Sequence, residues 1–176
     1  MKLFSRLSAL ALGALSTVSV FGSAAHAIYP GIARQNPSEA EVASLVRVAE
    51  SVGVAIYTEN NHEWTREKCK EGMYGMAIQF RDGRKFVALC VGNHGGDWEE
   101  LTDTLRHEMT HIAQYCNDGL LDPQNNARYM AGTREIGWDI QGTYPRKSWA
   151  VEAEAFYFAH YFNEATIGKI VTAACG

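Results

Sequence analysis

The stretch Leu105-Arg106-His107-Glu108-Met109-Thr110-His111-Ile112-Ala113-Gln114-Tyr115-Cys116 decides how the rest of the chain is read. It lies in a long helical pattern that Asp97 is placed to cap and Asn117-Asp118-Gly119 to end, with Trp98, Leu101, Leu105, Ile112 and Tyr115 among its inward positions. On a helix, residues four apart are rotated by about 40° and separated by about 6 Å along the axis, so His107 and His111 project from one face on consecutive turns. Two imidazoles so placed can converge on one metal ion. Zinc takes such ligands at roughly 2.0–2.2 Å in a tetrahedron, and where it does chemistry the protein supplies three of them and leaves the fourth position to water. Glu108 is too far round the helix to be the third ligand but can reach that water. The competing reading, two structural histidines, leaves the Glu108 charge beside a partly buried face with no partner.

The compartment bears on this choice. A short basic start (Met1, Lys2, Arg6), an apolar run from Leu7 to Phe21 and the small-residue sequence Ala25-His26-Ala27 read as a secretory signal peptide over residues 1–27. Ser8, Gly13, Ser16, Thr17 and Ser19 interrupt the run, which is not the unbroken stretch of about 20 apolar residues that a membrane anchor needs. Cleavage after Ala27 leaves residues 28–176, 149 residues suited to a single domain, with 14 basic and 20 acidic side chains. That net negative charge argues against nucleic acid or an anionic membrane as a partner, and the expected location is the periplasm or the medium. All four cysteines, Cys69, Cys90, Cys116 and Cys175, lie in this part, and an even number in an exported protein points to two disulfides, with three pairings open. No Cys-x-x-Cys pair suggests a thiolate metal site instead.

Upstream of the histidines, residues 36–53 read as a helix with Ser38 as its cap, a stripe of Val42, Leu45, Val46 and Ala49, and Gly53 as its stop. Val54 to Tyr57 reads as a short strand followed by a polar loop. Tyr74 to Phe80 and Lys85 to Val91 flank Asp82-Gly83 and read as a hairpin. A glycine-rich loop, residues 92–96 with His94 at its centre, then leads into the histidine helix. Downstream, residues 125–135 form a weaker helical pattern. Pro145 opens a stronger one, where Trp149, Val151, Ala153, Ala155, Phe156, Phe158, Ala159 and Phe162 are apolar nearly all the way round.

Two carboxylates, Glu152 and Glu154, sit inside that apolar helix, and buried carboxylates need a partner; a dication is a good one. They are about 200° apart on the helix, so only one faces a metal held by the histidines. At this point the chain resembles the gluzincins, zinc peptidases with a His-Glu-x-x-His helix and a glutamate ligand on a second helix, often written Glu-x-x-Ala-Asp. The likeness covers Thr104 to Cys116 and Ser148 to Tyr157. The metzincin alternative does not fit, since Gln114 and Asn117 stand where that class has glycine and histidine. The gluzincin pattern implies Glu152 as the third zinc ligand and Ala155 as the small residue between the helices. Phe156 departs from it, because an acid there often orients a metal-bound histidine; Glu154 and Asp103 are the candidates for that role here.

What the resemblance implies is an α+β, zincin-like domain, with a hairpin or antiparallel sheet packed on the histidine helix, that hydrolyses peptide bonds. His107, His111 and Glu152 would hold Zn2+, and Glu108 would serve as general base. Tyr144 and His160 are candidates for stabilising the oxyanion, His94 is more simply a solvated loop residue, and Arg106 more simply pairs helices. The strand from Lys85 to Val91 would offer its edge to an extended peptide or protein substrate, as in that family. Two other readings stand beside this one: a non-enzymatic, disulfide-bonded secreted binding domain with a structural metal, and a cell-wall amide hydrolase using the same parts. Substrate preference and oligomeric state are left open.

Overall fold

Asp97 sets the start of the helix around which the other elements assemble. Its Oδ1 accepts hydrogen bonds from the Glu99 and Glu100 amides at 2.9 and 3.0 Å, satisfying two donors that the first helical turn leaves without a partner. The computed structural model describes residues 37–176, except 136 and 138. Within these, the chain runs α1 (Pro37–Ser51), β1 (Ala55–Thr58), α2 (Glu63–Lys70), β2 (Gly75–Gln79), β3 (Lys85–Leu89), α3 (Trp98–Cys116), α4 (Asn126–Glu135), α5 (Ile140–Thr143), α6 (Trp149–Tyr161) and α7 (Glu164–Cys175). Short 3-10 turns precede α3, α4 and α6. The fold is mixed α+β.

Helix α3 has two working faces. Leu101, Leu105, Met109 and Ile112 are almost wholly buried, in one core with Val42, Leu45, Val46 and Ala49 of α1, Val87 and Leu89 of β3, Tyr157 and Phe158 of α6, and Ile167 and Val171 of α7. The adjoining stripe, Glu100, Asp103, Thr104, His107 and Glu108, recurs at helical spacing and lines a cleft of about 430 Å³. The helix ends where Asp118 adopts a positive φ of 53°, a left-handed conformation that aspartate is one of the few non-glycine residues to visit, and the Gly119 amide returns to the Gln114 carbonyl at 2.9 Å.

The sheet is mixed rather than antiparallel throughout. β2 and β3 form the expected hairpin, in register Ala77↔Val87, closed by the turn Phe80-Arg81-Asp82-Gly83-Arg84 with Gly83 at φ 86°. A hydrogen bond from the Gly83 amide to the Phe80 carbonyl and one from the Phe80 amide to the Arg84 carbonyl make this a three-residue loop with a glycine bulge. β1, however, joins β3 in parallel, in register Ile56↔Val87, so the order is β1-β3-β2. β3 is therefore the central strand with both edges paired. The expectation that Lys85 to Val91 offers an open edge is overturned, and β2 is the edge that faces α3.

Other boundaries also move. α1 begins at Pro37, whose fixed φ and missing N–H suit a first turn, so Ser38 is inside the helix rather than its cap. The stretch read as a polar loop after β1 contains α2, capped by His62, whose ring accepts from the Thr65 amide. Eight mostly charged residues with only Thr65 and Cys69 buried give no apolar stripe to read. α6 begins at Trp149, after a 3-10 turn that follows Pro145. The cysteines pair as Cys69–Cys90, which ties α2 to the end of β3, and Cys116–Cys175, which joins the C-termini of α3 and α7. Two disulfides are consistent with an extracellular setting. Among the described residues no helix is long and apolar enough to cross a membrane. The signal peptide read over residues 1–27 lies outside the described residues.

Candidate metal centre and its cleft

His107 and His111 are brought to one point by the α3 repeat, and α6 brings the third group to them. The two Nε2 atoms lie 3.0 Å apart. Glu152 Oε2 is 3.5 Å from His107 Nε2 and 3.4 Å from His111 Nε2. All three side chains are largely buried, and the three atoms fall within 4.8 Å of one another, the one His/Cys/Asp/Glu group of this kind among the described residues.

The electrostatics follow from that crowding. Burial pushes the Glu152 carboxyl up, but the two imidazoles beside it overcome this and hold the group at about 2. Burial likewise pushes the His111 imidazole down, yet Glu152, together with Glu108 and Gln114, holds it above its ordinary value. Even so, Glu152 Oε2 has no partner within good hydrogen-bond distance, because 3.4–3.5 Å is an ion-pair contact rather than a short bond. Three lone-pair atoms facing one another in a buried place are what a cation would satisfy. In a tetrahedral site with bonds of about 2.0–2.1 Å, ligand atoms stand roughly 3.3–3.4 Å apart, close to both carboxylate–imidazole separations. The group fits a dication.

The remaining nitrogens of the histidines differ. His111 Nδ1 lies 2.7 Å from Gln114 Oε1, one turn further along α3. Gln114 Nε2 in turn donates to Glu154 Oε2 at 2.8 Å and to the Val151 carbonyl at 3.0 Å. Glu154 is completely buried and also accepts from the Leu121 amide at 2.9 Å and the Asp122 amide at 2.7 Å. It therefore stands behind the histidines, and Glu152 stands in front. His107 Nδ1 is buried without a hydrogen-bond partner, and the Phe156 ring packs on that imidazole at 4.1 Å between centroids. Phe156 thus fills the place from which an acid could have reached His107.

Glu108 is buried and lines the cleft beside His107. Its Oε2 accepts a hydrogen bond of 2.6 Å from the Ala77 amide on the outer edge of β2. The Ala77 carbonyl accepts from the Tyr115 hydroxyl at 3.2 Å, so α3 engages both outward-facing backbone groups of this one edge-strand residue. Gly75 makes this approach possible. A Cβ there would lie 2.7 Å from Thr104 Cγ2 and 2.9 Å from Glu108 Cγ.

Tyr144 and Phe156 line the same cleft, with Tyr74, Gly75, Glu100, Asp103 and Thr104. Burial and the nearby Glu152 and Glu108 charges push the Tyr144 phenol up to about 12, so it stays protonated as a hydrogen-bond donor. Burial raises Asp103 against the opposing pull of Arg106, His107 and His160. His160 is exposed on the outside of α6 and does not line the cleft. His94 is buried, not solvated, with its ring edge-on to Tyr74 and 3.8 Å from Glu100. Arg106 pairs helices, its Nη1 donating to the Ala159 and Phe162 carbonyls at the end of α6. Gly75, Ala77, Tyr115 and Gln114 are the site residues that sequence reasoning missed. Only Gln114 carried a local signal, its position one turn after His111.

No protein-family model matches the chain, and neither a curated protein nor a solved structure matches it.

Proposed function

We propose that this chain is an exported zinc hydrolase acting on peptide bonds. The observation that carries the reading is the meeting of His107 Nε2, His111 Nε2 and Glu152 Oε2 at one buried point, with His107 and the neighbouring Glu108 also lining a cleft. Zinc is the dication that best suits two imidazoles and one carboxylate in a roughly tetrahedral set, and when bound it supplies Lewis acidity and lowers the pKa of water to about 7. The two disulfides suit a small enzyme working outside the cell.

The protein's own groups divide the work. The Ala77 amide holds one carboxylate oxygen of Glu108, and the other oxygen takes the proton from the attacking water and delivers it to the departing nitrogen. Tyr144, kept protonated in the cleft, is placed to donate a hydrogen bond as negative charge develops on the carbonyl oxygen.

The first test is metal analysis of the purified protein, beside Glu152→Ala and Glu154→Ala variants, followed by hydrolysis of a peptide library. One zinc per chain is expected, lost in Glu152→Ala. Glu108→Gln should keep the zinc and lower hydrolysis by about 10²–10⁴-fold. No zinc after reconstitution would defeat the proposal, and zinc with cleavage of cell-wall amides but no peptides would move the substrate.

A further inference from the structure

We infer that Gln114 is a positioning residue for the metal centre, that it fixes which nitrogen of His111 faces the metal, and that buried Glu154 holds Gln114 in the orientation that does so. The inference rests on the metal site proposed above. An amide side chain can present either oxygen or nitrogen to a neighbour, and a neutral imidazole can carry its proton on either nitrogen, so the pair His111–Gln114 has two self-consistent arrangements. Only one leaves Nε2 with a free lone pair: Gln114 Oε1 must accept, and Nδ1–H must donate.

Glu154 selects that arrangement. Its carboxylate can only accept, so the Gln114 atom 2.8 Å from Oε2 must be the NH2 group, and the Val151 carbonyl, also an acceptor, takes the second N–H at 3.0 Å. Gln114 Oε1 is then turned to His111 Nδ1 at 2.7 Å, and Nε2 is left for a metal. Glu154 is itself fixed by the Leu121 and Asp122 amides, and Asp122 by the Tyr129 hydroxyl at 2.6 Å, so the chain of bonds runs from the metal centre to the segment that follows α3. His107 has no equivalent, since its Nδ1 lacks a hydrogen-bond partner where Phe156 packs on it. The acid that would orient a histidine in the family this chain resembles is thus absent from its usual place, and a glutamine backed by a buried glutamate performs the orientation on the other histidine.

Gln114→Met keeps the side-chain volume and removes both polar atoms. It should weaken zinc binding about 10–100-fold in competition with a chelator, at fixed pH. In ¹⁵N-detected spectra of the imidazole, it should also abolish the uniform Nδ1–H tautomer of His111 in metal-free protein at alkaline pH. Gln114→Glu alone sets two carboxylates against each other and should also weaken binding. Combining Gln114→Glu with Glu154→Gln restores one acceptor facing His111 and one donor behind it, at the cost of the donor to the Val151 carbonyl and the acceptor for the Leu121 amide, and should recover part of the affinity lost in Gln114→Glu. A structural role alone does not predict that rescue. Unchanged zinc affinity and an unchanged tautomer in Gln114→Met would overturn the inference. If wild-type protein binds no zinc, the metal site itself has failed, and the tautomer measurement still decides whether Gln114 orients His111.

Discussion

At the scale of single residues, Gly75 is the position where the cleft's geometry leaves no space for a side chain. Its backbone φ is ordinary; what it lacks is room, because a Cβ would lie 2.7 Å from Thr104 Cγ2 and 3.0 Å from Glu108 Oε1. Gly75→Ala should push β2 off α3, lengthen the Ala77–Glu108 hydrogen bond, and cost about 1–3 kcal/mol, as overpacked sites do. Denaturant unfolding should report that loss, and hydrolysis should fall further than stability, with one zinc per chain retained. Equal activity would mean that the edge strand does not position Glu108. Neither Gly75 nor Ala77 was legible in the sequence, since both act on Glu108 from more than thirty positions away. The histidine pair was legible for the opposite reason: residues four apart on a helix meet by local geometry alone. Glu152 stands between these cases. The sequence offered it beside Glu154, and only the packing of α6 on α3 places one before the imidazoles and the other behind Gln114.

Among elements, the long helices could be read because each buries a stripe at helical spacing; Val42, Leu45, Val46 and Ala49 of α1 are all but inaccessible to solvent. α2 has no such stripe, and the parallel pairing of β1 with β3 depends on contacts between residues about thirty apart, which no local pattern encodes. The contact of α4 with α6 is also set by a missing side chain. A Cβ on Gly132 would lie 2.6 Å from Tyr157 Cδ2, and that ring is held between Tyr129 and Tyr161 with Arg128 over its face. Gly132→Ala gains up to about 1 kcal/mol of helix propensity but must displace a buried aromatic ring. The clash should win, with a net loss of about 1–2 kcal/mol in thermal or urea unfolding. Because Tyr157 lies on the side of α6 away from Glu152, zinc stoichiometry should not change. A stabilised variant would show that α4 can slide along α6 at little cost.

For the whole molecule, the two disulfides and the proposed metal would act on opposite states of the chain. The cysteine count pointed to two disulfides but could not choose their pairing, which the fold sets by bringing Cys116 to Cys175 and Cys69 to Cys90. Their sequence separations are 59 and 21, so the chain-entropy argument gives roughly 4 kcal/mol for the first and roughly 3 kcal/mol for the second. Cys116→Ser with Cys175→Ser should therefore destabilise more than Cys69→Ser with Cys90→Ser. A bound metal instead stabilises the folded chain, by about 2.7 kcal/mol at a hundredfold excess over Kd, and is released on unfolding. A disulfide that acts only on the unfolded ensemble leaves the metal affinity of the folded protein untouched. Chelation should then lower the unfolding free energy by the same amount in wild type and in the variant lacking Cys116–Cys175. Cys116 follows His111 by five residues and Gln114 by two, at the end of the helix that carries both, so this additivity is a strict test. A smaller chelation effect in the variant would mean that the bridge also holds the C-terminal turns of α3 in the geometry that the metal ligands require.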